Sequence, residues 1–199
     1  MMMLTKPNYI DIPDKQTSNC YRFIHVPLCF QETEYTCGVA CLQSILKRYG
    51  IVYRQNALAE LMKSKPILGT DFRDILFFLY QLGFQSSFVE NMSIDNLKKF
   101  INDGITPMLL IQAWADEDIE YEYDWRDAHY VIACGYDDNN IFIMDPYTLS
   151  NYTYISTSEL MKRWHVVDKF GSRYYNSGLI IKNEHCPFKY DPYVVKHLG

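Results

Sequence analysis

Up to about residue 104 the apolar residues recur at helical spacing, and beyond it they run in blocks of strand length. This one change of period constrains the fold more than any other feature of the chain. Leu42, Ile45, Leu46 and Tyr49 lie three and four residues apart, and Gly50 stands where a C-terminal stop belongs. That pattern predicts a helix over about residues 37–49. Further helices are expected over 55–63, over 71–82 with Thr70 as cap and Gly83 as stop, and over 94–102 between Ser93 and Gly104. The strand signals follow at 106–113, 130–136 and 141–144. Asp137-Asp138-Asn139-Asn140 supplies hairpin-turn chemistry between the last two. Ser156-Thr157-Ser158-Glu159 reads as a capping box for a helix reaching about Trp164, and 178–181 as a closing strand. Helices first and an antiparallel sheet after them make an α+β chain with two lobes and a ligand cleft between.

The chain of 199 residues suits a single domain, 1–199, able to bury its own core. That core is expected over about 21–182, between an irregular arm at 1–20 and a tail at 183–199 that holds Pro187 and Pro192. A net charge of -5 argues against a general nucleic-acid binder, which needs a basic surface for phosphates. No apolar run approaches the roughly 18 residues of a membrane-crossing helix, and the N-terminus has no apolar signal region. A cytoplasmic protein is expected, with signal-less secretion left open. In that setting the six cysteines read as reduced thiols. Cys37 and Cys41 form the only close pair, and no second Cys or His pair follows to complete a zinc site. No cofactor and no metal are expected.

Cys37 opens the first predicted helix and is followed by Gly38. At a helix N-terminus the unpaired N–H groups and the dipole favour an anion, which lowers a thiol pKa. A free thiol near pKa 8.5 is only a few per cent thiolate at neutral pH, whereas imidazole-paired cysteines reach about 3 to 4. That difference is roughly 6 to 7 kcal/mol. The dipole supplies about 0.5 to 2 kcal/mol, so a partner imidazolium is required. An ordinary buried hydrophobe is the competing reading of a helical cysteine, and Cys41, one turn on, fits it.

Of the five histidines, His25 lies upstream of the helix, His165 ends a helix where a cation helps the dipole, and His185 and His197 lie in the tail. His129 opens the strand at 130–136, and the returning strand ends at Asp145-Pro146. The hairpin therefore carries His129 and Asp145 to the same end of the sheet, where a carboxylate would fix the tautomer of the ring. Gln31, six residues before Cys37, could donate its amide to a developing oxyanion together with the Cys37 N–H.

The block Gln31-Glu32-Thr33-Glu34-Tyr35-Thr36-Cys37-Gly38-Val39-Ala40-Cys41 resembles the Gln-to-Cys-Gly block of the C39 peptidases, a papain-like branch of cysteine proteases. His129-Tyr130-Val131 and Met144-Asp145-Pro146 resemble that family's His and Asp-Pro blocks, and the likeness extends over about 25–182. The resemblance implies a papain-like fold in which the nucleophile helix packs on an antiparallel sheet. It implies Cys37 as nucleophile, His129 as general base and acid, Asp145 as orienter and Gln31 as oxyanion donor. Its best-known members are transporter domains that cut leader peptides after a double glycine. This chain has no membrane or ATPase segment and is more similar to stand-alone bacterial members.

Residues 116–127 hold seven carboxylates with Arg126 as the only cation, directly before His129. This is either a solvated loop or a cleft rim that attracts cationic substrates and keeps His129 protonated. Trp125 is either a cleft aromatic or a core residue. Three functions remain open: hydrolysis of a peptide or isopeptide bond through a thioester on Cys37, deamidation or acyl transfer by the same residues, and a catalytically silent peptide-binding module. The expected partner is a peptide or protein.

Overall fold

The computed structural model describes residues 20–115, 119–148, 151–184, 187–195 and 197. The arm expected over 1–20, except its last residue, lies outside them, as do residues 116–118 of the acidic loop, His185 and Cys186. The elements run β1 (Arg22–Phe23), α1 (Cys37–Arg48), α2 (Gln55–Leu61), α3 (Phe72–Gln81), β2 (Gln85–Val89) and α4 (Ile94–Asn102). They continue with β3 (Met108–Gln112), β4 (Ala128–Tyr136), β5 (Asn140–Met144), β6 (Thr153–Ser156), α5 (Thr157–Arg163), β7 (His165–Val167), β8 (Arg173–Tyr175) and β9 (Gly178–Lys182). The main sheet has the order β2-β9-β3-β4-β5-β6 with every pair antiparallel, and β1 joins the far end of β4. Strands β7 and β8 form a separate ribbon. The α+β, papain-like architecture stands, with helices packed on an antiparallel sheet.

The core forms where α1 lies across β4. Leu42, Ile45 and Leu46 turn one face of α1 inward, and every residue of β3 and β5 is buried. Strands buried on both faces lose alternation and read as continuous apolar runs, which is why 106–113 and 141–144 stood out. Each such Leu or Ile contributes about 1.5 to 3 kcal/mol on burial.

Two expectations are corrected. The helical half is not free of strand: β2 intervenes between α3 and α4 and forms the edge of the sheet against β9. Gln85-Ser86-Ser87 has no apolar alternation, so only the pairing with β9 makes this segment a strand. The cap of α3 is Asp71, whose carboxylate accepts from the Arg73 N–H at 2.9 Å, and not Thr70. Thr70 is occupied elsewhere, its hydroxyl sharing a 2.8 Å hydrogen bond with Ser64 and its carbonyl accepting from Tyr130. At α5, Ser156 accepts from the Glu159 N–H as expected, while the Glu159 carboxylate pairs with Arg163.

Candidate active site

The N-terminus of α1 is left open by its own sequence. Its N-cap, Thr36, makes no side-chain cap, and the first turn holds no acidic residue. The Thr36 hydroxyl is engaged backwards instead, accepting from the Thr33 N–H at 3.0 Å and lying 3.3 Å from Gln55 Oε1. The first-turn N–H groups therefore face whatever anion lies at Cys37. Gly38 permits the helix to come this close to the sheet. A Cβ there would stand 3.0 Å from both Thr70 Cβ and Tyr130 Cδ2.

The hairpin of β4 and β5 delivers the other groups. Ile132 pairs with Met144, so one further step sets Asp145 across from Val131, on the face that His129 shares two residues away. Diagonal neighbours of this kind are within reach of long side chains, and His129 Nε2 lies 2.8 Å from Asp145 Oδ1. That leaves Nδ1 free for Cys37, whose thiol the ring acts on. Gln31 arrives by a backbone link, its N–H donating to the Pro146 carbonyl at 2.8 Å. Its side chain donates from Nε2 to Thr33 O at 2.9 Å, and its Oε1 is buried without a hydrogen-bond partner among the described residues. All four residues are nearly enclosed, with Gln31 5%, Cys37 7%, His129 6% and Asp145 7% exposed.

The charges follow from these contacts. Burial pushes the Cys37 thiol up, but the hydrogen bond and charge of His129, with the N–H groups of Tyr130 and Gly38, bring it below its ordinary 9.0. Burial pushes the His129 ring down, and the hydrogen bonds to Asp145 and Cys37 outweigh it, raising the ring from 6.5 to about 10. The two shifts share the attraction between the His129 ring and the Cys37 sulfur, and the Asp145 hydrogen bond adds the largest single part of the rise at His129. Cys41 and Tyr130, the neighbours on either side, are driven well up by burial and stay neutral. A thiolate, a proton on the adjoining ring and N–H donors at a helix end are what attack on a carbonyl carbon needs.

Asp145 has a further partner that nothing in the sequence singles out. Trp114, two residues beyond β3, donates from its indole Nε1 to Asp145 Oδ2 at 2.9 Å. The Tyr147 N–H donates to Oδ1 at 2.9 Å. Only the register of β3 against β4, with Gln112 opposite Ala128, puts Trp114 at this level of the sheet.

Other candidates fall away from the site. His165 is not a helix-end cation: α5 ends earlier, and His165 opens β7, buried, with Nε2 2.7 Å from the Asp124 carbonyl. Trp125 packs against His165, ring centroids 4.4 Å apart at a tilt of 49°, and takes Arg173 on its face. His25 sits among Phe23, Tyr152 and Tyr193. In the described part of the acidic loop, Asp124 is buried and holds Arg126 and the 126 and 127 N–H groups. Cys29, Cys37, Cys41 and Cys134 are free thiols. Among the described residues no group of three or more His, Cys, Asp or Glu is placed to hold a metal ion, and no helix is long and apolar enough to cross a membrane.

Solved structures of the same fold include the following three. The peptidase domain of Streptococcus ComA, a bifunctional ABC transporter of a quorum sensing pathway, is 23% identical with a TM-score of 0.55, covering 84% of this chain and 98% of that one. A protein described as a C39-like peptidase from Bacillus anthracis is 18% identical with a TM-score of 0.59, covering 81% and 98%. A double glycine motif protease from an AMS/PCAT transporter, solved in complex with the leader peptide, is 16% identical with a TM-score of 0.56, covering 81% and 94%. At these identities the likeness carries the fold alone. No curated protein sequence matches. The family model of the peptidase C39 family matches residues 25–167, which takes in Gln31, Cys37, His129 and Asp145, and the chain belongs to that family of cysteine peptidases.

Proposed function

We propose that this cysteine peptidase hydrolyses a peptide bond through a Cys37–His129–Asp145 triad and a thioester acyl-enzyme. The observation that carries the reading is the buried His129 ring, shared between the thiol at the start of α1 and the Asp145 carboxylate 2.8 Å away. The Cys37 thiolate bonds to the carbonyl carbon while the carbonyl pair moves onto oxygen. The Cys37 N–H and the second N–H of Gln31 Nε2 donate to that oxyanion. Collapse breaks the C–N bond as His129 gives its proton to the departing nitrogen, leaving a thioester. Water then adds to the thioester with His129 taking its proton, and Cys37 leaves as the thiolate. The acid is released and the resting ion pair is restored. Asp145 keeps the ring oriented throughout.

A double-glycine leader is the first peptide to try, because the AMS/PCAT protease of the same fold was solved in complex with the leader peptide. Mass analysis of the products separates hydrolysis, which needs only water, from transfer, which needs an amine acceptor. The decisive test is the rate of iodoacetamide alkylation at Cys37 from pH 4 to 9 in wild type and His129→Ala. Fast labelling at pH 5 that the substitution abolishes supports the triad. Labelling that rises only toward pH 9 in both proteins would leave a silent peptide-binding module.

A further inference from the structure

We infer that Trp114 is a positioning residue of this site: its indole N–H holds the Asp145 carboxylate in the plane that presents it to His129, and Tyr147 holds the indole. The inference rests on the triad reading above and adds to it a residue on a different segment.

The backbone supplies the first observation. Trp114 has φ +63, the left-handed region, which an aromatic residue adopts at a cost of about 1 to 3 kcal/mol. Strain of this kind persists only where the surroundings over-determine it. Here both neighbours are tied down. The Ala113 N–H donates to the Asp127 carbonyl at 3.0 Å, and the Ala115 N–H donates to the Tyr121 hydroxyl at 3.2 Å.

The side chain supplies the second. Trp164 is fully buried, as a core indole should be, while Trp114 is 39% exposed. Its indole is not there to fill the core. One edge meets Asp145 Oδ2 at 2.9 Å, and its face lies on the Tyr147 ring, centroids 4.6 Å apart at 32°. An indole N–H only donates, so it fits a carboxylate oxygen and would be mismatched to a donor.

The carboxylate then has a partner on each oxygen. Oδ1 takes His129 Nε2 and the Tyr147 N–H, and Oδ2 takes Trp114. Rotation about the Asp145 Cβ–Cγ bond would break the Trp114 bond, so the direction in which Oδ1 faces the imidazole is set from the opposite side. The titratable groups that face the ion pair are Cys41 from α1, Tyr130 from β4 and Asp145 after β5, with Asp71 ahead of α3 acting through Tyr130. None of them takes over the role of Trp114, because none bonds Oδ2.

The test is Trp114→Phe in the full chain, which keeps a ring against Tyr147 and removes the donor. Three readouts are taken together: thermal midpoint, turnover of a cleaved peptide, and the pH dependence of Cys37 alkylation. The expected result is turnover about 10- to 100-fold lower with the acid limb of alkylation moved up by about one pH unit. A ring that the freed carboxylate no longer orients pairs less well with Cys37, so the thiol ionises only at a higher pH. A purely structural role would lower the midpoint and scale the rate equally at all pH values with the limb unmoved, and that result overturns the inference. So does a variant within twofold of wild type. If Trp114→Phe does not fold, Tyr147→Leu keeps the backbone N–H but removes the stack, and is expected to move the limb in the same direction by less; an unmoved limb there counts against the inference equally. A wild type that shows no low-pH labelling would overturn the triad reading first, and this inference with it.

Discussion

Helices α1 and α4 begin in opposite ways. At α4, Ser93 accepts from the Asn96 N–H at 3.1 Å, and the Asn96 side chain accepts from the Ser93 N–H at 3.0 Å, with Asp95 in the first turn. Its orphan donors are satisfied within the helix itself, and its positive end meets a built-in negative charge. At α1 the cap position contributes no side chain to the helix, the first turn carries no acid, and the Gly38 N–H helps to lower the Cys37 thiol. The same unpaired N–H groups stabilise the chain in one case and, in the function proposed above, favour an anion on Cys37 in the other. What differs is the residue type at a few positions, and the difference separates stability from reactivity.

The largest break in this contrast is to remove the anion at α1. Cys37→Ala is expected to lower peptide turnover by about 10⁴-fold or more, as read in a timed cleavage assay with product mass analysis. Residual turnover within a hundredfold of wild type would mean that another group attacks. Gln31→Ala is expected to cost about 10²- to 10³-fold in kcat, the usual loss for one oxyanion donor. Single-turnover kinetics check it, since the loss belongs in the acylation rate and not in binding.

The pH profile sharpens the comparison further. Cys37 is lowered below 9.0, so activity should extend below that pH and fall as the thiolate is protonated. His129 is raised to about 10, so on the alkaline side activity should fall as pH passes that value and the ring loses its proton. A kcat/KM profile peaking as a narrow band near pH 6.5, the ordinary imidazole value, would contradict the ion pair.

Gly38→Ala tests the approach of α1 to the sheet. The new Cβ meets Thr70 and Tyr130 at 3.0 Å, an overpacking that costs about 1 to 3 kcal/mol. Chemical denaturation should show this loss together with a drop in Cys37 reactivity, because Thr70, the Tyr130 ring or the helix start has to give by a few tenths of an ångström beside the thiol. Ser93→Ala is the smallest effect. It should cost about 1 kcal/mol of stability, and alkylation of Cys37 should not change.

Much of this could be read along the chain because the signals are local. Gly50 and Ser93 mark helix ends by what a single residue can do, the one adopting positive φ and the other capping N–H groups. The turn at 137–140 joins strands that are neighbours in sequence, so the proximity of His129 and Asp145 followed from a hairpin. The misses have the opposite character. Strand β2 exists through a partner at Gly178–Lys182, and Asp71 displaced Thr70 as a cap because Tyr130 and Ser64 claim Thr70. His165 is explained by a carbonyl 41 residues away.

By itself the sequence determined the class of fold, the helix that begins at Cys37 and the residues able to serve that thiol, since each depends on spacing within a few residues or on one short turn. Only the tertiary structure decided how closely α1 lies on β4, which atom of His129 faces Asp145, and that Trp114 holds the other carboxylate oxygen. Those contacts join segments tens of residues apart. Their geometry is set by packing, strand register and the competition for hydrogen-bond partners, none of which leaves a period or a motif in the chain.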